Sequence, residues 1–133
     1  MINEDVFKLA SNTANVGLKN RYSHKISLKN TTCGDKITIE IIADKKKIHS
    51  MKYETISCVY CEASASLISR KIKNVKLKDV KNDLITLKKI SINKNVKIPK
   101  RLSDFEKLLN SDNFNRFKCI FLPIDAVLKA FKL

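Results

Sequence analysis

The chain of 133 residues carries four cysteines, Cys33, Cys58, Cys61 and Cys119. The thiolate, not the thiol, attacks electrophiles and binds soft metals. Three of the four fall where a thiolate is readily presented. Cys33 lies in a predicted loop ahead of a strand, and Cys58 and Cys119 lie at predicted helix starts, where backbone N–H groups and the helix dipole favour negative charge. Asp35 follows Cys33 across Gly34. Three thiolates and one carboxylate make a donor set suited to zinc or an iron–sulfur cluster. The separations between Cys33, Cys58 and Cys119 match no standard zinc-finger pattern, so spacing leaves open whether the four meet. Cys58 and Cys61 also form a C-x-x-C, which reads as a redox dithiol or half of a zinc knuckle. His24 and His49 fall in predicted strands and read as surface or packing residues. No Gly-rich phosphate loop and no Ser-His-Asp arrangement can be argued.

The elements that position these residues follow from periodicity. Residues 57–69 read as a central helix with Ser57 as N-cap and Cys58 in the first turn. Ala63 and Leu67, like Ile68 and Ile72, are spaced for one buried face. The small residues Ala63, Ser64, Ala65 and Ser66 allow another backbone to approach closely. Upstream, residues 4–10 form a short helix with Val6, Leu9 and Ala10 inward, and 11–17 is polar and turn-like. Tyr22, His24, Ile26 and Leu28 alternate along a half-buried strand. After the loop 30–35 come a strand over 37–43, a turn at Asp44 and Lys45, and a strand over 46–55 with Ile48, Met51 and Tyr53 as its apolar members. Short turns between three strands predict an antiparallel meander, which lacks the βαβ context a thioredoxin-like dithiol needs.

Downstream, Val80, Leu84 and Leu87 mark a helix over 77–90, and 93–101 reads as a basic linker. Ser103 and Glu106 fit a capping box for a short helix to Leu109. The last helix starts near Cys119, with Ile120, Ile124, Val127, Leu128 and Phe131 as its apolar stripe and Pro123 in the first turn. The fold class is α+β, a small three-stranded antiparallel sheet packed against helices, with residues 1–133 as a single domain.

Composition narrows the function classes. A hydrophobic content of 44% supports a core, and two Gly and two Pro leave most of the chain for regular structure. No apolar run reaches the ~20 residues a membrane-spanning helix needs. The acidic start Met1-Ile2-Asn3-Glu4-Asp5 is not a secretory signal. A cytoplasmic location is expected, with no membrane partner, and there the cysteines serve as thiols, metal ligands or redox groups rather than structural disulfides. Lys and Arg number 27 against 13 Asp and Glu, a net charge of +14. Such a balance attracts nucleic acid, anionic membranes or an acidic partner. The lysines are dispersed, however, and Ile and Asn are also abundant, so part of the charge reads as compositional bias. The few aromatics are not interleaved with the lysines, so nucleic acid is not the expected partner. A zinc-stabilised basic nucleic-acid-binding module is the alternative from another class.

Three segments carry a resemblance. Asn30-Thr31-Thr32-Cys33-Gly34-Asp35, Ser57-Cys58-Val59-Tyr60-Cys61-Glu62-Ala63-Ser64-Ala65-Ser66 and Arg116-Phe117-Lys118-Cys119-Ile120-Phe121-Leu122-Pro123 resemble the cysteine motifs of the NifU/IscU/SufU iron–sulfur scaffold family, N-P-x-C-G-D, G-C-x-x-x-x-A-S-A-S and R-x-K-C-x-x-L-P. Asn15-Val16-Gly17 echoes that family's N-terminal N-x-G. The long interval between Cys58 and Cys119, and Lys118 in place of a histidine, resemble the SufU branch. Thr31 replaces the usual proline and Ser57 the usual glycine, and the strong positive charge is unlike typical members. The resemblance implies an IscU/SufU-like scaffold in which Cys33, Asp35, Cys58 and Cys119 converge on one metal site, with Cys61 outside it. It implies iron or a [2Fe–2S] cluster, alternatively zinc. A cysteine desulfurase of SufS or IscS type would be the sulfur donor and apo-proteins the recipients. Cys33, Cys58 or Cys119 would accept the persulfide, supported by Arg116. The zinc variant is a persulfide acceptor rather than a cluster scaffold.

Overall fold

The computed structural model describes residues 4–31, 34–90 and 95–132. Helix α1 (Glu4–Ser11) is followed by strands β1 (His24–Lys29), β2 (Lys36–Ala43) and β3 (Ile48–Ile56). Helices α2 (Val59–Lys71) and α3 (Leu77–Lys89), two 3-10 helices (Lys100–Lys107 and Ser111–Arg116) and α4 (Phe117–Ala130) complete the chain. The sheet is the expected antiparallel meander in the order β1-β2-β3, and the fold is α+β.

Ile37, Ile39 and Ile41 put β2 into the core at every second residue. On β3, Ile48 and Met51 are both buried although three residues apart. The register explains this. It shifts between Ile42 and Ala43, so that one step on β2 opposes two on β3 and the inward face changes parity. Glu40, on the other face of β2, is buried too. The backbone N–H groups of Lys19 and Asn20 donate to its Oε1, and Lys25 Nζ lies 3.4 Å from its Oε2. This pins the segment before β1 across the outer face.

Helices α2 and α4 cover the inner face, α2 against β3 and α4 against β1 and β2. Ala63, Ser64, Ala65, Ser66, Leu67, Ile68 and Ser69 are all buried, so α2 is enclosed on nearly every side. Its serines must therefore find partners, and each binds a backbone carbonyl. Ser64 Oγ donates to Ile120 O at 2.6 Å, Ser66 Oγ to Asn12 O at 2.9 Å and Ser69 Oγ to Ser66 O at 2.9 Å. The small-residue run admits α4 on one side and the segment after α1 on the other. That segment clamps the edge of β3, where Gly17 N–H donates to Tyr53 O at 2.8 Å and Tyr53 N–H to Asn15 O at 3.1 Å.

Three boundaries differ from the sequence reading. Cys58, not Ser57, is the N-cap of α2, and the Ser57 hydroxyl donates to Cys58 O. The segment after Pro99 forms a 3-10 helix from Lys100, ahead of the expected cap at Ser103, and its N-cap residue is Pro99, which makes no side-chain capping bond. Proline presets the following turn, which starts the helix early. Finally, α4 begins at Phe117, so Pro123 lies inside it rather than in its first turn. The preceding 3-10 helix runs directly into α4 and extends it backwards. Pro123 has no N–H to give the carbonyl of Cys119, four residues earlier, so that backbone rung is missing beneath the cysteine.

Candidate metal centre

The short loop before β2 places Asp35. Asn30 N–H donates to Asp35 O at 2.7 Å and Gly34 N–H to Asn30 O at 2.8 Å. Gly34 closes this loop with φ +75°, a left-handed conformation that a side chain would strain. Asp35 is thereby turned inward and is only 5% exposed.

It meets the start of α2. Cys58 N–H donates to Asp35 Oδ1 at 3.1 Å, and Cys58 Sγ lies 3.4 Å from Oδ2. Asp35 thus satisfies the backbone N–H of the N-cap residue itself, while the Cys58 side chain makes no capping bond. The positive end of α2 faces the Asp35 carboxyl, with the Cys58 thiol beside it. Cys119, in the first turn of α4, is the third member. Ser64, on the turn after Cys61, binds the carbonyl of Ile120, which fixes α4 against α2 one residue from Cys119. One donor atom each from Asp35, Cys58 and Cys119 lies within 4.8 Å of the others.

Three of the four expected ligands are therefore brought together, on a loop and two helix starts. Cys33 lies outside the described residues. Cys61 is fully buried in the hydrophobic core and is not part of the cluster, although C-x-x-C spacing alone had left it open. His24 packs on Phe131 with ring centroids 4.4 Å apart, and His49 binds Asp44 at 2.8 Å, so both stand away from the cluster in packing and turn roles.

Arg116, the residue before α4, is exposed, with its guanidinium carbon 5.7 Å from the centre of the Tyr60 ring. This cation–π contact joins the two helix starts that carry Cys119 and Cys58. Sequence reasoning missed Tyr60 as that partner, and it missed the hydroxyl strap from Ser64. Nothing local marks Tyr60, whereas a serine within a buried helix already demands an acceptor.

The donor set fits a soft or borderline cation, two thiolates providing the affinity and a carboxylate one hard corner. Tetrahedral zinc with bonds of about 2.3 Å to sulfur places its thiolates about 3.8 Å apart, within the span seen here. No helix among the described residues is long and apolar enough to cross a membrane.

Comparison with known proteins gives the family and the fold. Residues 1–114 match the model of the NifU-like N-terminal domain family. The chain is 28% identical over 105 residues to the iron–sulfur cluster assembly scaffold protein IscU of Thermotoga maritima, covering 78% of this chain and 73% of that protein. The fold superposes on the N-terminal part of a NifU-like protein from Brucella abortus with a TM-score of 0.84 at 18% identity, covering 98% and 91% of the two chains. It matches a SUF-system scaffold protein, SufU, from Fervidobacterium islandicum with a TM-score of 0.84 at 20% identity, covering 96% and 94%. The chain belongs to the NifU-like N-terminal domain family, that of the IscU- and SufU-like iron–sulfur cluster assembly scaffolds.

Proposed function

We propose that the chain works as one scaffold domain that accepts sulfur from a cysteine desulfurase and holds iron or a [2Fe–2S] cluster as cargo through Cys33, Asp35, Cys58 and Cys119. The observation that carries this reading is the meeting of Asp35, Cys58 and Cys119 within 4.8 Å. Sulfur transfer needs no outside oxidant. A site thiolate attacks the outer sulfur of the donor's persulfide, the donor's S–S bond breaks, and the donor cysteine leaves as its thiolate while a new persulfide forms on the scaffold. The α2 terminus and Asp35 hold Cys58 in place for this exchange. Arg116, held over Tyr60 at the mouth of the two helices, contributes a permanent positive charge that favours thiolate. The assembled cargo then passes to recipient apo-proteins.

A second reading keeps the same residues but makes zinc the resident ion and sulfur transfer the whole task. The compactness of the cluster favours it, because one tetrahedral ion gathers its donors more tightly than a two-iron cluster, which spreads them over two metal atoms.

Anaerobic iron, zinc and acid-labile sulfide analysis after incubation with a cysteine desulfurase and cysteine tests both. Iron and sulfide in equal amounts support the scaffold, and zinc with bound persulfide but no sulfide supports the acceptor. Neither metal nor sulfur on the protein rejects the site. In the same assay Arg116→Ala should slow sulfur uptake, and an unchanged rate discards its role.

A further inference from the structure

A groove of about 470 Å³ opens beside the candidate metal centre. Its apolar floor is Leu28 of β1 with Phe117, Phe121 and Leu122 of α4. Among the described residues its rim carries Lys29, Lys88, Lys118 and Lys129 and a single carboxylate, Asp125, which is engaged by Lys88 at 2.7 Å. Lys29, Lys118 and Lys129 are exposed. The groove is continuous with the site along the chain, since Lys118 is bonded to Cys119 and the lining residues Asn30 and Thr31 begin the segment that leads to Asp35.

The aromatic row does not stop at the groove. Phe121 meets Phe117 edge-on at 6.0 Å, and Phe117 meets Phe114 at 5.4 Å. Phe114 is 61% exposed, an unusual position for a large apolar side chain that continues a groove floor. Apolar area bordered by one sign of charge selects an occupant with apolar side chains and the opposite charge.

We propose that this groove docks an acidic polypeptide segment with apolar anchors, carried by a protein that exchanges sulfur or metal with the adjacent thiolates. The proposal rests on the sulfur-transfer reading of the neighbouring site and adds the chemistry of the partner. A polypeptide fits better than a nucleic acid. The aromatic rings pack tilted and edge-on against one another, which leaves no set of parallel faces for base stacking, and the described residues that line the rim include no arginine to fork a phosphate.

The test is fluorescence anisotropy with the full chain and a labelled peptide in which Glu alternates with Leu and Phe. Controls are a Glu/Ser peptide of equal charge and a single-stranded oligonucleotide of equal length. The Glu/Leu/Phe peptide should bind more tightly than either control. Lys29→Glu, Lys118→Glu and Lys129→Glu together should weaken its binding about tenfold. The same reversal at Lys45, Lys46 and Lys47, exposed at the other end of the sheet, should weaken it far less. No binding of the Glu/Leu/Phe peptide, equal loss from both charge reversals, or tighter binding of the oligonucleotide would overturn the proposal. Metal and sulfur contents of the same proteins are measured in parallel. A wild-type chain that holds neither metal nor sulfur yet binds the peptide would sink the metal-site reading alone, and a loaded wild-type chain that binds no peptide would sink the groove alone.

Discussion

Two aspartates bracket the central strand, Asp35 just before β2 and Asp44 just after it, and both use one oxygen to cap backbone and the other to meet a reactive side chain. Asp44 Oδ1 accepts from Lys46 N–H at 2.7 Å and Lys47 N–H at 2.9 Å, while Oδ2 meets His49. Asp35 Oδ1 accepts from Cys58 N–H, while Oδ2 faces the Cys58 thiol. The difference is reach and burial. Asp44 is exposed and binds only residues of its own turn and the strand it leads into, which is the ordinary work of an aspartate between strands. Asp35 is buried and bridges to a helix start that the chain reaches only after two further strands. The same local chemistry closes a turn at one end of the sheet and assembles a donor cluster at the other.

The largest expected effect separates the ends outright. Cys58→Ser or Cys119→Ser should strip most of the metal, because serine offers a neutral hydroxyl where the site supplies a soft thiolate. Metal content by mass spectrometry after anaerobic purification measures this. Cys61→Ser serves as the control. Cys61 lies in the core away from the cluster, so its variant should keep wild-type metal while losing some stability, since a buried hydroxyl replaces a thiol. Metal lost from Cys61→Ser but kept by Cys119→Ser would make the C-x-x-C the true ligand pair.

Asp35 comes next, with two roles to pull apart. As the acceptor of the Cys58 N–H it should contribute about 1 kcal/mol to stability. As the one hard ligand it should exchange most readily with incoming groups and so govern release. Asp35→Asn keeps an oxygen for Cys58 N–H but removes the charge, whereas Asp35→Ala removes both. Both variants should retain cargo and hand it to an apo-ferredoxin more slowly, and only Asp35→Ala should also lower the melting temperature. Transfer at the wild-type rate by both, with unaltered metal, would leave Asp35 a backbone acceptor and reduce the ligands to cysteines.

The strands, the core positions and α1 to α3 were legible because their periodicity is local. Ile37, Ile39 and Ile41 alternate, and Val80, Leu84 and Leu87 repeat on a helical face. The site was only half legible. Residue types pointed to a metal, but spacing could not show that Asp35, Cys58 and Cys119 meet, because the meeting depends on α4 packing across α2 through Ser64 and Ile120. It was the resemblance to a family that linked them. The boundary differences have separate causes: tertiary context at α2, and the immediately preceding chain at the helices that begin at Lys100 and Phe117. Ser57 is a good cap by type, yet the N-cap is Cys58, whose N–H donates to Asp35 from another loop. The 3-10 helix feeding α4 moved the helix start two residues ahead of Cys119.

The smallest effect should come from Asp44, and it should appear in acid rather than in metal content. The N–H groups of Lys47 and Lys46, then the hydrogen bond with His49, hold the Asp44 carboxyl well below its ordinary value of 3.8. The folded state therefore releases this proton more readily than the unfolded chain, which binds more protons through that window. The resulting stability is fully present above about pH 4 and is lost as pH falls through the folded value. Glu40 adds to the same slope. Burial pushes its carboxyl up, but the N–H groups of Lys19 and Asn20 and the Lys25 ammonium outweigh this and hold it below 4.5. Melting temperature should therefore fall on acidification below pH 4, and Asp44→Asn should flatten part of that fall while leaving metal content at neutral pH untouched. An Asp44→Asn protein whose acid profile matches the wild type would show that the turn end contributes nothing to acid stability, leaving Glu40 to account for the slope.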